Sequence, residues 1–296
     1  MRVLITGASG FIGSALCKAL LERGDEVVAW MHRSQPKTPG VQSVNSLAEL
    51  EAPIDAVINL AGAPIADARW SDARKTLLRE SRLNTTRSLV EWIGRLEKRP
   101  AVLISGSAIG YYGATTRDEA VTEGSAVQLD DFSHALCRDW EQAAQQVQQY
   151  GVRVCTLRTG IVLGRGGALA KMRLPFLLGG GGPIASGRQW MPWIHIDDEV
   201  GAILHLLGQS DLSGPFNLTS PNPATNREFV KAYAASLNRP AIFPMPSFVV
   251  SLMLGRDAGK LLTEGLRVVP EKLLKSGYEF RYPQLETALR QVETNH

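Results

Sequence analysis

Short apolar runs alternate with longer amphipathic segments through the first two thirds of the 296-residue chain. Runs of this kind are typical of buried strands, and apolar residues spaced three and four apart indicate helices that cover a sheet. The runs read RVLIT, EVVAWMH, a weak VQSV, DAVINLAG, AVLISGS and VRVCTLRTG, and the helical segments are 11–23, 71–98 and 131–150, with Ser71 as an N-cap. The alternation predicts βαβ units around a parallel sheet.

The first strand runs into a glycine-rich turn, VLITGASGFIG, that opens the first helix. Gly7 permits the tight turn, Gly10 lets a pyrophosphate approach the backbone, and Gly13 lets the helix pack closely on the sheet. The phosphates would then lie on free N–H groups at the positive end of the helix. A merely tight turn is the alternative, but this position in a βαβ pattern favours dinucleotide binding. The predicted contacts here are Gly7, Ser9, Gly10, Phe11, Ile12 and Gly13.

The end of the second strand, AWMHRS, indicates which dinucleotide is bound. It lacks the carboxylate that commonly holds the ribose 2′-hydroxyl of NAD. Arg33 lies where a guanidinium can make charge-assisted hydrogen bonds to a 2′-phosphate, with His32 beside it. A solvated loop arginine is the alternative. The predicted cofactor is therefore NADP(H).

The composition argues against several other classes of protein. A net charge of +3 is too mild to favour nucleic acid, and no apolar run approaches the roughly 20 residues of a membrane span. The three cysteines and five histidines show neither disulfide nor metal-ligand spacing. Because the N-terminus resembles a strand and not a signal peptide, the predicted compartment is the cytoplasm.

The pattern changes in the last third of the chain. The segment GGGGPIASGRQ at 179–189 is predicted to be a loop near a ligand. After the strand-like WIHI, Asp197 or Asp198 is predicted to cap a helix, and prolines punctuate the remainder. The predicted domains are a nucleotide-binding domain at 1–220, with a substrate-side excursion at 165–189, and a small C-terminal domain at 221–296.

Several motifs together resemble a known superfamily. TGASGFIG, NLAG, Asn84 in the long helix, SGSAIGYYG and WIHIDD are similar to the extended short-chain dehydrogenases/reductases, which include nucleotide-sugar epimerases. RWSDARKTLLRESR, GGPIASGRQWMPWIHIDD and GPFNLTSPNP resemble an atypical epimerase-like branch, some members of which are labelled "cell division inhibitor". The resemblance implies an α/β fold, a Rossmann doubly wound parallel sheet with a small C-terminal domain. Further predicted cofactor contacts are Leu60, Ala61, Gly62, Asn84 and Arg158.

The superfamily's chemistry implies a catalytic pair that this sequence lacks. It uses a Ser that holds the substrate oxygen, a Tyr that transfers its proton, and a Lys four residues later that lowers the Tyr pKa. Ser107 matches the Ser position. The helix DFSHALCRDWE at 131–141 would carry the Tyr and Lys, but its two registers supply Phe132 with Leu136, or Ser133 with Cys137.

Tyr111 and Tyr112 are the remaining candidates for proton transfer. They follow Ser107 on the loop leaving the fifth strand, at the edge where ligands bind in such sheets. An unassisted phenol stays protonated at neutral pH, so it can donate a proton to a carbonyl oxygen but is a poor base. The predicted chemistry is NADPH-dependent reduction. A structural turn with both rings packed under the loop is the alternative.

Three other side chains have weaker cases for catalysis. Cys137 lies on the apolar face of a helix, where a cysteine is usually buried and inert. No nearby motif engages His134. His195 and the two aspartates after it invite a catalytic interpretation, but in the family this segment chiefly forms a strand and a helix cap.

Cationic side chains around the predicted cleft suggest an anionic group on the substrate. Arg158 ends a central strand and Arg188 lies in the glycine-rich loop, so these two are the better candidates. Solvated helix faces are the alternative, above all for Lys75 and Arg79. The cluster near the start of the long helix consists of Arg69, Trp70, Lys75, Arg79 and Arg82.

Two functions of different class follow from these features. The first is an NADPH-dependent reductase or epimerase-like enzyme acting on a small carbonyl compound, which Ser107 and the polar cleft favour. The second is a non-catalytic NADPH-binding module read by a partner protein, which the missing Tyr and Lys favour. Ordinary sugar-nucleotide epimerisation needs a proton shuttle in both directions and is disfavoured. The helices at 71–98 and 131–150 are candidates for the four-helix dimer contact common in the superfamily.

The choice of NADP(H) can be tested by Arg33→Ala. Loss of hydrogen bonds to the 2′-phosphate is expected to weaken NADPH binding by about 1.5–3 kcal/mol, the range for bonds to charged groups. NADH, which has no 2′-phosphate, is expected to bind nearly unchanged. Calorimetric titration of both cofactors measures this, and an equal loss for both would contradict the assignment.

Overall fold

The computed structural model of the protein describes residues 1–31, 36 and 38–294, apart from the side chains of residues 253, 254 and 256. The strands are β1 (Arg2–Thr6), β2 (Glu26–Trp30), β3 (Gln42–Val44), β4 (Ala56–Asn59), β5 (Val102–Ala108), β6 (Arg117–Val121), β7 (Arg153–Thr159), β8 (Ile161–Leu163), β9 (Trp190–Met191), β10 (Trp193–His195), β11 (Gly214–Leu218), β12 (Ala224–Thr225) and β13 (Leu266–Val268). The α-helices are α1 (Phe11–Glu22), α2 (Asp72–Arg95), α3 (Phe132–Gln145), α4 (Gly167–Leu177), α5 (Ile196–Gly208), α6 (Asn226–Ser236), α7 (Ser247–Leu254), α8 (Arg256–Thr263), α9 (Glu271–Lys275) and α10 (Leu285–Thr294).

The central sheet has seven parallel strands in the order β11-β7-β5-β4-β1-β2-β3. The chain moves outward from β1 in one direction through β2 and β3, and in the other through β4, β5, β7 and β11. This reversal opens a crevice at the carboxyl ends of β1 and β4, where such sheets bind ligands. The predicted doubly wound Rossmann sheet is confirmed.

Both faces of the sheet are covered because successive strand residues point to opposite sides. Val3, Ile5 and Ile58 join a core with α1 and α5. Leu4, Val57 and Leu103 join a second core with α2 and the end of α3. The β-branched runs in the sequence are therefore buried on both sides, as parallel strands require.

The predicted start of α2 is confirmed, whereas the predicted cap of α5 is wrong. The Ser71 side chain accepts a hydrogen bond from the Arg74 N–H at the start of α2. Helix α5 is capped by His195, whose Nδ1 accepts from the Asp197 N–H at 3.1 Å. Asp198 lies inside the first turn, because its carboxylate is used by another part of the chain.

The glycine-rich segment 179–189 is a loop between α4 and β9, as predicted. It is held by the Gln189 amide, which donates to the carbonyl oxygens of Ile184 at 3.1 Å and Leu262 at 2.9 Å. A Cβ added at Gly182 would lie 1.8 Å from the Phe243 carbonyl oxygen, so a side chain there would displace the segment before α7.

The C-terminal segment packs on the rest of the chain through a shared core. Helices α6 and α10 bury Phe229, Tyr233 and Leu289 against Leu169 of α4 and Trp193 of β10. Strand β13 pairs in parallel with β6. The predicted division at 220/221 and the predicted dimer contact stay predictions. No helix among the described residues is long and apolar enough to span a bilayer.

Asp198 links α5 to the C-terminal segment through hydrogen bonds. Its buried carboxylate accepts hydrogen bonds from the backbone N–H groups of Arg281 at 2.6 Å and Tyr282 at 2.8 Å. The Tyr278 hydroxyl donates to the Asp198 carbonyl oxygen at 3.0 Å. Buried donors that lose such an acceptor keep the full cost of desolvation.

Asp198→Asn is expected to lower the free energy of unfolding by about 1.5–3 kcal/mol, the range for hydrogen bonds to a charged group. The new amide can offer one oxygen, but its NH₂ group then faces a backbone N–H. Urea unfolding measures the loss. The neighbouring Asp197, whose carboxylate is 38% exposed, provides the control Asp197→Asn. Equal stability of the two variants would contradict this account.

Candidate functional site

The glycine turn between β1 and α1 forms one wall of the crevice. Gly7 has φ +74°, and a Cβ there would lie 2.7 Å from the Leu60 carbonyl oxygen. A Cβ at Gly13 would lie 2.1 Å from the Gly7 carbonyl oxygen. No side chain in the described part of the chain caps α1 after Gly10, which leaves the first N–H groups of the helix free for an anion. The turn therefore fits a pyrophosphate.

The end of β4 forms the adjacent wall. The Thr6 hydroxyl donates to Asn59 Oδ1 at 2.7 Å and accepts from the Ala61 N–H at 3.2 Å. The Asn59 amide in turn donates to Thr86 in α2 at 2.8 Å. These bonds hold residues 60–62 next to the glycine turn, and Gly62 is exposed.

Two of the predicted cofactor contacts have other surroundings, and two cannot be placed. Asn84 lies on the exposed side of α2, and Arg82 is the α2 residue whose side chain lies against Gly62. Arg158 is buried and paired, as described below. His32 and Arg33 lie outside the described residues, so their role at the 2′-phosphate stays a prediction.

A buried ion pair lies behind the crevice. Arg158 in β7 donates from Nε to Glu141 Oε1 and from Nη2 to Glu141 Oε2, both at 2.9 Å. Ser107 Oγ donates to the same Oε1 at 2.7 Å. Bidentate contacts between an arginine and a carboxylate are among the strongest charge-assisted hydrogen bonds. Arg158 is therefore occupied by Glu141, and the Ser107 hydroxyl proton is shared with the carboxylate.

Glu141 is a residue of the candidate site that the sequence did not predict. It lies in α3 four residues after Cys137, on the face of the helix turned to the sheet. The available signal was an acid on a predicted apolar face, which requires a buried cation as partner.

Tyr112 lies in the core beneath the crevice. Its ring is fully buried, and its hydroxyl donates to Asn217 Oδ1 at 2.8 Å and accepts from Arg158 Nη1 at 3.0 Å. Burial raises the pKa of Tyr112 to about 12. This hydroxyl belongs to the packed structure, in agreement with the structural-turn alternative.

Tyr111 is half-buried and more accessible. The Arg158 guanidinium stacks on its ring, with Cζ 3.4 Å from the centroid. His134 meets the ring edge-on at 5.3 Å, and its Nδ1 lies 2.5 Å from the Tyr111 carbonyl oxygen. The ring is thus held in place, and His134 serves to position it.

The structure decides between the two registers of α3. Ser133 and Cys137 face the loop after Ser107, since a Cβ at Gly110 would lie 3.3 Å from Ser133 Cβ and 3.6 Å from Cys137 Sγ. Phe132 and Leu136 instead pack against other apolar side chains near the start of α2. Burial raises the pKa of Cys137 to about 12, so its thiol is not a ready nucleophile.

A largely apolar cavity of about 370 Å³ opens beside the loop after β5. Ile109 and Gly110 line it on that side, and the glycine-rich loop lines another. Further walls come from Met172, Phe176, Trp190, Met191 and Val230.

The basic residues predicted near the cleft have other surroundings. Arg188 is exposed, Lys75 contacts Asp257, and Arg79 contacts Asp139. Among the described residues, no group of three or more His, Cys, Asp or Glu could hold a metal ion.

Glu199 in α5 is buried at the carboxyl edge of β7. Its Oε1 accepts from the Thr159 hydroxyl at 2.9 Å, and its Oε2 has no hydrogen-bond partner within the described part of the chain. Burial raises the pKa of Glu199 to about 8. The carboxyl is therefore mostly protonated at neutral pH.

The fold and the glycine turn define a dinucleotide-binding protein of the α/β class, and comparisons with known proteins identify its family. A model of the NAD dependent epimerase/dehydratase family matches residues 3–219, so the chain belongs to that family. A second model, a domain of unknown function (DUF1731), matches residues 245–292.

The similar proteins cover the full length of the chain. The epimerase family protein YfhF of Bacillus subtilis is 36% identical over 99% of this chain and 98% of its own. Human epimerase family protein SDR39U1 is 38% identical over 99% of both. A crystal structure of human SDR39U1 (isoform 2) with NADPH superposes with a TM-score of 0.91 over 100% of both chains.

Glu199→Gln is expected to make stability less sensitive to rising pH. A glutamate in the unfolded chain ionises near pH 4.5, whereas in the folded protein the pKa is about 8. The native state thus binds one more proton between these values, and stability falls by about 1.4 kcal/mol per pH unit from this group. Glutamine has no proton to lose. Urea unfolding from about pH 5 to about pH 7.5 measures how steeply the free energy of unfolding changes with pH in the unaltered protein and in the variant.

The matched control is Glu80→Gln, at an exposed position of α2. It is expected to keep the slope of the unaltered protein. If Glu199→Gln also kept that slope, Glu199 would not be the proton-binding group inferred here.

Proposed function

We propose that this protein binds NADPH and uses it to reduce a small carbonyl compound with a largely apolar body. The apolar cavity beside the loop after Ser107 is the observation that carries the proposal. A pocket lined by apolar side chains with a few polar groups at one end is typical of small-molecule sites. The glycine turn and the NADPH found with the human relative support the cofactor.

Bound NADPH would supply the hydride that reduces the carbonyl carbon. The apolar walls of the cavity would hold the apolar body of the substrate. Ser107 Oγ can donate to the carbonyl oxygen if it exchanges its present bond to Glu141. Tyr111 is the candidate proton donor, since the Tyr112 hydroxyl is occupied by Asn217 and Arg158.

The cavity changes the expected substrate from an anionic one to an apolar one. Arg158 is neutralised by Glu141, and Arg188 is exposed and absent from the cavity lining. Lys171 is the basic side chain among the described residues of the lining, and it contacts Asp67. An apolar carbonyl compound therefore suits the pocket better than a phosphate or carboxylate.

A non-catalytic NADPH-binding module is the second candidate. The observation that favours it is the closed polar network: Ser107, Glu141, Arg158 and Tyr112 satisfy one another without a ligand. Such a network needs no substrate to complete it. A partner protein would then recognise the NADPH-bound form.

NADPH consumption across aldehydes, ketones, quinones, enones and nucleotide sugars tests the first candidate. Turnover is expected with apolar carbonyl compounds, and Ser107→Ala and Tyr111→Phe are each expected to lower kcat by about 100-fold or more, the range for lost proton transfer. Tyr112→Phe serves as comparison, with its main effect on stability. Full activity in both Ser107→Ala and Tyr111→Phe would contradict these roles. Tight NADPH binding without turnover on any class would favour the module.

A further inference from the structure

Two arginines of α2 contact the loop that follows β4. Arg82 Nη2 donates to the Ala63 carbonyl oxygen at 3.1 Å, and Arg74 Nη2 donates to the Pro64 carbonyl oxygen. A Cβ added at Gly62 would lie 3.0 Å from Arg82 Cζ. The Arg82 guanidinium therefore lies directly against the exposed backbone of Gly62, and a larger residue at 62 would displace it.

These two arginines have no acidic partner in the described part of the chain. No carboxylate there lies within 4.0 Å of either guanidinium, whereas Arg79 is paired with Asp139 and Arg158 with Glu141. Nε of Arg74 is buried and has no hydrogen-bond partner among the described residues. Burial and the like charge of Arg74 lower the pKa of Arg82. Partly buried charges without counter-ions are costly, so this pair is suited to an external anion.

The position of the pair indicates which anion it takes. Residues 60–62 adjoin the glycine turn, because the Leu60 carbonyl oxygen contacts Gly7. The turn, TGASGFIGS, has no basic side chain and offers a pyrophosphate only backbone N–H groups. A cation from a neighbouring element would add charge-assisted hydrogen bonds that the turn does not supply. Arg82 stands at the wall of the crevice next to it.

We propose that Arg82, assisted by Arg74, binds the pyrophosphate of the bound dinucleotide with charge-assisted hydrogen bonds from its guanidinium. The proposal rests on dinucleotide binding but not on reductase activity. Arg82 also lies over the ring of Trp140 in α3, with Cζ 5.1 Å from the centroid, three residues after Cys137, which occupies one register of the missing catalytic pair. A cation from α2 thus lies near the position where α3 lacks its lysine.

The pyrophosphate is common to NADPH, NADH and ADP, and this makes the proposal separable from the role of Arg33. Calorimetric titration of the purified protein with these three ligands measures binding without turnover. Arg82→Gln is expected to weaken all three by the same factor, about 10- to 100-fold, as for lost bonds to a charged group. Arg82→Lys is expected to retain part of the affinity. Arg33→Ala, by contrast, is expected to affect NADPH alone.

Arg79→Gln is the matched control, because Arg79 lies in the same helix but is already paired with Asp139. Its affinities are expected to equal those of the unaltered protein. Unchanged binding of NADPH and NADH to Arg82→Gln would overturn the proposal, as would an equal loss in Arg79→Gln. If Arg82→Gln lost affinity for a carbonyl substrate but for none of the nucleotides, the anion bound by Arg82 would belong to the substrate. That result would also overturn the proposal.

Two further variants decide the matter if circular dichroism shows Arg82→Gln to be unfolded. Arg74→Gln is expected to weaken the binding of NADPH and of NADH by the same factor, smaller than that expected for Arg82→Gln. Arg82→Lys is expected to bind both cofactors more weakly than the unaltered protein does. Unaltered affinity in both would overturn the proposal. Absence of turnover on every substrate, with these affinity losses intact, would contradict the reductase and leave the anion site standing.

Discussion

The buried pair of Glu141 and Arg158 is the interaction on which the candidate site depends. Removing two charges from water is expensive, and the interior repays it only when the geometry and the remaining hydrogen bonds are satisfied. Here Ser107 and Tyr112 complete the bonding. The pair thereby joins α3, β5, β7 and the turn after β5 into one unit. Loss of either charge would leave the other buried without a partner.

This pair also determines what chemistry remains available. It neutralises Arg158 and shares the Ser107 proton, so the polar part of the site is largely satisfied by the protein itself. The cavity beyond it is apolar, and Glu199 is mostly protonated. The excess positive charge at the crevice lies instead on α2, at Arg74 and Arg82. The glycine turn therefore suits phosphates, whereas the cavity beside the loop after β5 suits an apolar molecule.

Local patterns predicted the parts of the structure that depend on local physics. The alternation of strands and helices, the Ser71 cap and the glycine-rich loop each arise from steric and hydrogen-bonding preferences within a few residues. The errors arose where a distant residue competes. Asp198 does not cap α5 because Arg281 and Tyr282, more than eighty positions away, use its carboxylate. Glu141 was missed for the same reason, since its partner Arg158 lies on strand β7, 17 positions further along the chain.

The residues in chain order were enough to predict the doubly wound sheet, the phosphate-binding turn and the absence of a Tyr and a Lys in α3. These follow from residue types at short spacing, where backbone geometry leaves few alternatives. Long-range packing was needed to show which face of α3 meets Ser107, that Tyr112 is buried while Tyr111 is half-exposed, and that Arg82 rather than Asn84 faces Gly62. Those outcomes depend on which charges and hydrogen-bonding groups are paired after packing, and pairing joins residues far apart in the chain.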